Sequence, residues 1–553
     1  MIGIICDTKE SAQVEEFFEL FKVPWEPYRS GNRYEAVIST VEMNRTPNAK
    51  LVILFGADKK EIDEQYHLDV IEVKEKKLPA MDGKEIPIYG RLAVLEGYGK
   101  PILRLLGGQE NIGIVIDTGK HRLFRIGYNP FEELKIMFIH GQPREFSLTS
   151  TLEFHISIIR RILVSYGAQL LEVPPVPNGY PFICCLTHDV DFLGVKYHKF
   201  DHTFLGFLFR GVVVSGIRAV QQRKWSEFGM NLRSVFSIPF IFIGLKKDFW
   251  NQLDAYLTLE KDLVSTFFFI PFSNKPGRPH YKMSHAKRAC KYKIENHVND
   301  IRNLCSKGRE IAVHGIDSWL DTAEGINERR AISRICGQTA VGIRMHWLYY
   351  DSESPKRIEE AGYLYDSTLG YNDAVGYWAG TGQAFKPLNT DSLLELPLNI
   401  QDTALFYPGR MGLSEGEAFE LVKQVIDTAK EFGGVVVINW HQRSLAPERQ
   451  WHTFYIRMIG LLKNLNPWFA TAEHAAGWFR MRRSVVFERC DQLGRKIRVR
   501  LQGDKVRTEP RMPSLRLRVY KPDQNHNVED SFLNGKLSFF DLDLKEDRTI
   551  SLS

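Results

Sequence analysis

Cysteine is scarce and carries no metal-binding spacing: Cys6, Cys184, Cys185, Cys290, Cys305, Cys336 and Cys490 are an odd set with no C-x-x-C pair. Several sit inside apolar runs, where a thiol behaves as a small buried hydrophobe, which argues against a zinc–thiolate site and for a reducing compartment. A glycine-rich phosphate fingerprint is also missing; Gly107-Gly108 reads as an ordinary turn signal. The opening stretch MIGIICDTKE has neither a basic region nor a long apolar core, so it does not read as a signal peptide, and a cytoplasmic protein is expected. The most apolar later stretch, Phe204–Val214, is interrupted by Arg210 and falls short of the about 20 residues a bilayer span needs. No transmembrane segment is therefore expected. Peripheral membrane contact stays open, because Phe204–Lys224 mixes large apolar residues with Arg210, Arg218, Arg223 and Lys224; the alternative is a helical insertion packed over the core. Charge of either sign is not in large excess: Lys plus Arg number 73 and Asp plus Glu 67, a net +6. That permits an anionic partner without demanding one, and no nucleic-acid partner is expected.

What is present suits a folded multidomain protein. The 553 residues, 44% hydrophobic and 25% charged, fit two to four domains at roughly 150 residues each. Residues 1–145 alternate short apolar strands (Ile2–Cys6, Tyr34–Ser39, Leu51–Phe55, Ile112–Ile116) with segments such as Ser11–Phe21, a pattern of a small α/β layer with parallel strands. After the Pro-rich turn Val173–Gly179, residues 175–481 alternate strand and helix seven or eight times, which predicts a (β/α) barrel. An insertion over 193–262 interrupts its first unit and is long enough to act as a lid or docking surface. Residues 482–553 switch to period-two alternation without helices and predict a small antiparallel β domain. Its Arg498, Arg500, Arg516 and Arg518 form a face that either binds an anionic glycan or phosphate or is simply solvated.

The strands of the middle region end in polar residues suited to hydrolysis. Pro181–Asp191 (PFICCLTHDVD) ends in two carboxylates, Glu310–Asp317 (EIAVHGID) in His and Asp, and Gly342–Trp347 (GIRMHW) carries Arg and His. Leu364–Gly370 (LYDSTLG) carries an Asp, and Gly433–His441 (GGVVVINWH) ends in His. Parallel barrel strands bring such ends to one rim. Asp189 and Asp191 can divide the roles of base and metal ligand. His314 and Asp317, three apart, can share one face and reach one cation. Carboxylate plus imidazole suits a divalent ion that polarises a carbonyl and activates water. His441 is then placed to act as an acid for the leaving group, and Arg344 to hold a carboxylate base. Each residue also has a plainer reading: Asp317 before Ser318-Trp319 suits a helix cap, and His346 beside Trp347 a packed core residue.

Taken in order, LTHDVD, VHGID, GIRMHW, LYDST, LELP and VINWH resemble the polysaccharide deacetylases of the NodB-homology type, carbohydrate esterase family four, over roughly residues 181–480. The resemblance implies an irregular (β/α)7 barrel and a divalent metal, zinc foremost, used to remove acetyl groups from N-acetylated sugars. It implies Asp189 as base, Asp191 and His314 as metal ligands, Arg344 as the arginine orienting the base, and His441 as the acid. Asp366 falls in the fourth motif, as a support for His441, and His346, Trp347 and Trp440 would line the sugar site. The sequence departs from the family at the second motif, H-x-x-x-H, where Ser318 stands in place of the second His. Three readings of that position stay open: Asp317 as replacement ligand, Ser318 acting through water, or weak metal binding. Asp402 in QDTALF also lies just beyond a strand end and is left without a role.

The leading reading is a cytoplasmic, metal-dependent deacetylase acting on an N-acetylated carbohydrate. Two others compete: a deformylase or ureide-type amidohydrolase on the same barrel, and a non-catalytic carbohydrate-binding protein, for which Ser318 speaks.

Overall fold

The computed structural model describes the chain apart from residues 44, 74–79, 82–83, 106–109, 224, 280–284, 339–340, 492–495, 503–511, 523–535 and 552–553. Gly107-Gly108 and Lys224 fall outside the described residues, as does the side chain of Arg218.

The middle of the chain is a curled, parallel sheet with helices outside it. Its nine strands run Leu394–Glu395, Tyr365–Asp366, Ile343–Met345, Glu310–Gly315, Ser265–Phe269, Ile183–Val190, Val435–Asn439 and Leu398–Gln401, with Trp468–Phe469 beside the start of Ile183–Val190. Leu396 and Pro397 alone separate the two edge strands in sequence, so the sheet bends round until its edges share one kinked segment. The two-residue period of a strand sorts the side chains. Cys184, Leu186 and Val190 pack outward with Phe267, Ile311, Val313 and Ile438 against the helices. Ile183 and Cys185 turn inward with Phe268, Ala312 and Val437. By the same alternation Thr187 and Asp189 continue the inner row toward the strand's C-terminal end.

The opposite end of the interior is closed by the helix Ala472–Arg483, which sends Trp478 and Ala476 into that inner core. Glu310 is buried at this closure, accepting hydrogen bonds from the Tyr365 hydroxyl, Thr266 Oγ1 and the Glu473 amide. Burial pushes its carboxyl up to about 7. Among the outer helices, Asp321 accepts the first free amides of Thr322–Cys336, and Gly337, at φ +69°, ends that helix in the left-handed region.

The first region is a seven-stranded sheet, ordered Trp25–Pro27, Ile2–Ile5, Tyr34–Ser39, Ala49–Phe55, Arg122–Ile126, Asn111–Asp117, Lys100–Arg104. Its strands are parallel as far as Arg122–Ile126. The strand Asn111–Asp117, expected to be parallel, is antiparallel on both sides, because a tight turn at Thr118–His121 sends the chain straight back. The core of this layer continues past residue 145: the helix Thr151–Ser165 buries Phe154, Ile158 and Ile162 in it.

The last region forms two small antiparallel sheets. Val485–Arg489, Lys496–Leu501 and Arg548–Ser551 make one; Leu515–Tyr520 sits between Leu170–Glu172 and Phe539–Leu544 in the other. Its apolar residues Val485, Val499, Leu515 and Leu544 share a core with the base of the curled sheet. The four arginines that suggested an anion-binding face are met by acids of this region: Arg516 and Arg518 by Asp541, Arg500 by Glu488, and Arg498 by Asp547 at 3.7 Å.

Arg482 ties the regions together. Its guanidinium is buried and donates to the carbonyls of Val173, Glu19 and Leu20. Replacing it by Ala leaves three carbonyls without a donor, each costing about 1–3 kcal/mol if kept from water. The expected outcome for Arg482→Ala is a loss of about 3 kcal/mol or more, measured as a lowered thermal midpoint, with the isosteric-length Arg482→Lys recovering only part because it donates from a single point.

Candidate functional site

The inner face of the curled sheet carries its polar residues at the C-terminal strand ends, and they converge. Cross-strand register sets His314 opposite Arg344, and Ile183–Val190 brings Asp189 alongside the neighbouring strands. Arg344 is fully buried. One of its terminal nitrogens lies 3.0 Å from Asp189 Oδ1 and 2.8 Å from Thr187 Oγ1, while Nε and the other terminal nitrogen donate to the Ser367 carbonyl and hydroxyl. The second Asp189 oxygen accepts from Asn439 Nδ2 at 2.7 Å. Burial alone would raise the Asp189 carboxyl, but His314, Arg344 and His441 outweigh it and hold the group below the usual carboxylate range. Asp189 is thus an ionised carboxylate locked in orientation.

Two positions on, Asp191 faces a ring of imidazoles. Its carboxylate is 3.3 Å from His314 Nε2, 3.5 Å from His346 Nε2 and 3.8 Å from His441 Nε2. Despite burial, these histidines pull its carboxyl far down. Asp191, His314 and His346 each offer one ligand atom, all within 4.8 Å of one another, a grouping able to hold a metal ion. The donor set fits a divalent cation on three counts. His314 Nδ1 lies 3.0 Å from the Arg344 carbonyl, which can only accept, so Nδ1 carries the proton and Nε2 presents a lone pair to the centre. Burial drives His346 down to about 3, keeping it neutral as a ligand must be. Asp191 Oδ1 is buried with no hydrogen bond to satisfy it.

This grouping differs from the one expected at the second motif. Asp317 turns away: its Oδ1 accepts the Arg278 amide at 2.8 Å, and Lys275 Nζ stands 4.0 Å from Oδ2. Ser318 is engaged elsewhere too, donating to Glu328 Oε2 at 2.6 Å. Glu328 gathers this turn, accepting also the amides of Ile316 and Asp317. The third ligand atom grouped with those of Asp191 and His314 belongs to His346, which the sequence placed among the substrate contacts. Arg344 and His346 are two apart at one strand end, the spacing that puts both on the inner face.

His441 stands on the other side of the grouping. Its Nδ1 is 2.6 Å from Asp402 Oδ1, and Asp402 Oδ2 accepts the His441 amide at 2.7 Å and the Ser444 hydroxyl. Burial opposes the imidazolium, but Asp402, Asp191 and Asp189 overcome it and raise His441 above the ordinary histidine value. Asp402, which had no assigned role, is therefore the partner of His441. Asp366, expected there, lies on the strand next to Arg344 and is paired across the ladder with Glu395. Burial raises both carboxyls, Asp366 to about 7, and repulsion from Asp366 adds to the rise of Glu395. Trp440 is fully buried on the outer face, stacked on Phe454 with ring centroids 5.6 Å apart and nearly parallel, so it offers no face to a ligand. Trp347 is half-buried beside His346, ring centroids 5.7 Å apart. It and Leu348 hold left-handed backbone conformations, φ +65° and +56°, which non-glycine residues rarely adopt outside functional sites.

No family model matches the chain, and no curated protein does. Among solved structures, the chain resembles polysaccharide deacetylases and related enzymes. One described as a polysaccharide deacetylase from Mycobacterium smegmatis is 20% identical over 56% of this chain and 94% of its own, with a TM-score of 0.35. A Puue allantoinase is 16% identical over 54% of this chain and 91% of its own, at 0.33. Agd3, a carbohydrate deacetylase, aligns over 100% of this chain and 98% of its own, with 8% identity and a TM-score of 0.35. At these scores the likeness carries no weight of its own, and the reading of the site rests on its residues.

The Asp402–His441 contact makes a direct prediction. In metal-free protein, Asp402→Asn removes the nearest negative charge and should lower the His441 pKa, followed as the His441 imidazole signal in a ¹⁵N NMR titration. An unchanged titration would mean that Asp402 only positions the ring.

Proposed function

We propose that the chain is a metal-dependent amide hydrolase that removes acetyl groups from an N-acetylated carbohydrate, on a curled sheet read as an irregular (β/α)7 barrel. The observation that carries this reading is the convergence of Asp191, His314 and His346 between an ionised carboxylate, Asp189, and an imidazole of raised pKa, His441. A divalent cation of the zinc type held by those three would polarise an acyl oxygen and lower the pKa of a bound water.

The protein's own groups then divide the proton work. Asp189 accepts a proton from the attacking water; Arg344 and Asn439 keep it ionised and aimed. His441, its pKa raised against burial by Asp402, donates to the departing amine from the opposite side. Trp347, half-buried at the rim, supplies an aromatic surface of the kind that suits a pyranose ring. The non-catalytic carbohydrate-binding reading leaned on Ser318; that His346 offers a ligand atom beside Asp191 and His314 supports the catalytic reading over it.

Two measurements test the proposal. Wild type supplied with zinc should retain about one ion per chain, the load of one mononuclear site; His314→Ala and His346→Ala should lose it, and Asp317→Ala should keep it. Asp189→Asn should keep the metal yet release acetate from N-acetylglucosamine oligosaccharides about 10²–10⁴-fold more slowly. Retention of the ion by His346→Ala contradicts the ligand set, and acetate release unaffected in Asp189→Asn contradicts the base.

The pH dependence has a defined sign. His441 has a raised pKa, so its acid function is present at low pH and lost as pH rises through the folded value. Asp402→Asn should therefore move the alkaline limb of the kcat/KM profile to lower pH, with the metal content unchanged.

A further inference from the structure

The insertion between the first and second barrel strands folds as a helical hairpin whose patterning is inverted for a protein in water. Its first arm is a continuous helical run, His202–Gln221, of 20 residues and mean hydropathy 1.5, long and apolar enough to cross a membrane by length and composition. It passes through Arg210 without a break, by way of a π-helical turn over Phe209–Val214. The second arm is Trp225–Phe242. Where the arms meet, small and polar residues are buried: Gly211, Ser215 and Ala219 on one, Asn231, Ser234 and Ser237 on the other. The serines satisfy themselves on carbonyls of their own helix, at Gly211, Met230 and Ser234.

The large apolar side chains face outward instead. Val220 is 70% exposed, Phe236 72%, Ile243 68% and Leu245 76%, with Phe209 and Phe240 more than half exposed. A soluble helix turns its apolar stripe to the core. Helices that pack through glycine, alanine and serine while presenting large apolar residues outward are the arrangement of a lipid environment. The root of the hairpin is held in the protein, where Phe204, Phe207 and Ile241 cluster with Val195, Trp250 and Ala446, and near the tip Gln450 Nε2 donates to the Glu227 carbonyl at 3.5 Å.

Charge identifies the lipid. Residues 196–247 carry nine Lys or Arg against two acids, Asp201 and Glu227, a surplus of seven where the whole chain has six. Arg210 and Arg233 are exposed among the outward apolar residues and make no ion pair among the described residues. Long cationic side chains beside exposed aromatics suit the headgroup layer of an anionic bilayer.

We infer that the hairpin 202–245 is a membrane-docking element whose outer faces seat in the interfacial layer of an anionic bilayer. This also fixes where the catalytic rim lies. The loop that follows His441 grips the root: Gln442 Nε2 donates to the Trp250 carbonyl at 2.6 Å, and the Arg443 guanidinium lies 3.5 Å from the Trp250 ring centre. The docking stands apart from the proposed reaction, since it uses none of the residues at the metal grouping.

The test is co-sedimentation of the purified full chain with phosphatidylcholine vesicles, alone or with roughly a third phosphatidylglycerol. Binding is expected to anionic vesicles, weakening with salt, and much less to neutral ones. Phe236→Glu/Phe240→Glu, at exposed positions, should weaken it at least about tenfold with an unchanged thermal midpoint. Arg210→Glu/Arg233→Glu should weaken anionic binding while leaving neutral binding as it was. Absence of vesicle binding by wild type, or equal binding by the phenylalanine variant, overturns the inference. So does a wild-type dimer in light scattering that the same variant dissociates with no vesicle binding, because a second copy would then cover the face.

Discussion

The buried guanidinium of Arg344 is the contact on which the site depends. A cation taken wholly out of water is tolerated only when charge and hydrogen bonds surround it, and Arg344 has both: Asp189, Thr187 and Ser367, with the Phe268 ring 4.4 Å beneath. In satisfying itself it links the strands Ile183–Val190 and Ile343–Met345 to the turn after Tyr365–Asp366. It also helps hold Asp189 ionised, and its own carbonyl fixes the tautomer of His314. One residue thereby orients both the carboxylate and the imidazole.

Around that contact the charges are separated by environment. Asp189 and Asp191 are held ionised by the cations and imidazoles beside them, whereas Asp366 and Glu395, a strand away, are raised by burial that outweighs the pull of Arg344. His346 is driven neutral by burial, whereas Asp402 raises His441 above the ordinary histidine value in spite of burial. Four carboxyls and two imidazoles of similar chemistry thus hold different proton states, which is what acid–base work at one site requires.

Much of this was legible from the sequence. Long apolar runs ending in Asp or His located the strands and the rim, because a parallel strand buried on both faces leaves polarity only at its ends. The two-residue period also separated Asn439 from Trp440, and following it strictly would have sent Trp440 outward into the core, as observed. The third member of the grouping was obscured by local spacing: Asp317 lies close to His314 in the chain, but the turn after Gly315 points it toward Arg278. His346 had the better signal, two residues from the inward-facing Arg344. Asp402 stood out by its place beyond a strand end but not by its role, since its partner His441 is 39 residues away and on another strand. The hairpin's outward face was likewise hidden, because composition shows how apolar a segment is but not which side it buries.

The insertion adds a second constraint on the site. Its root is packed against the segment following His441, so an apolar, cationic surface and His441 belong to one continuous structure. The central claim remains the identity of the three ligands. A zinc-edge anomalous difference map from crystals of metal-loaded protein addresses it directly. A single peak about 2.0–2.2 Å from Asp191, His314 and His346 is the predicted result. A peak coordinated by Asp317 or standing beside Ser318, with His346 turned away, would contradict it.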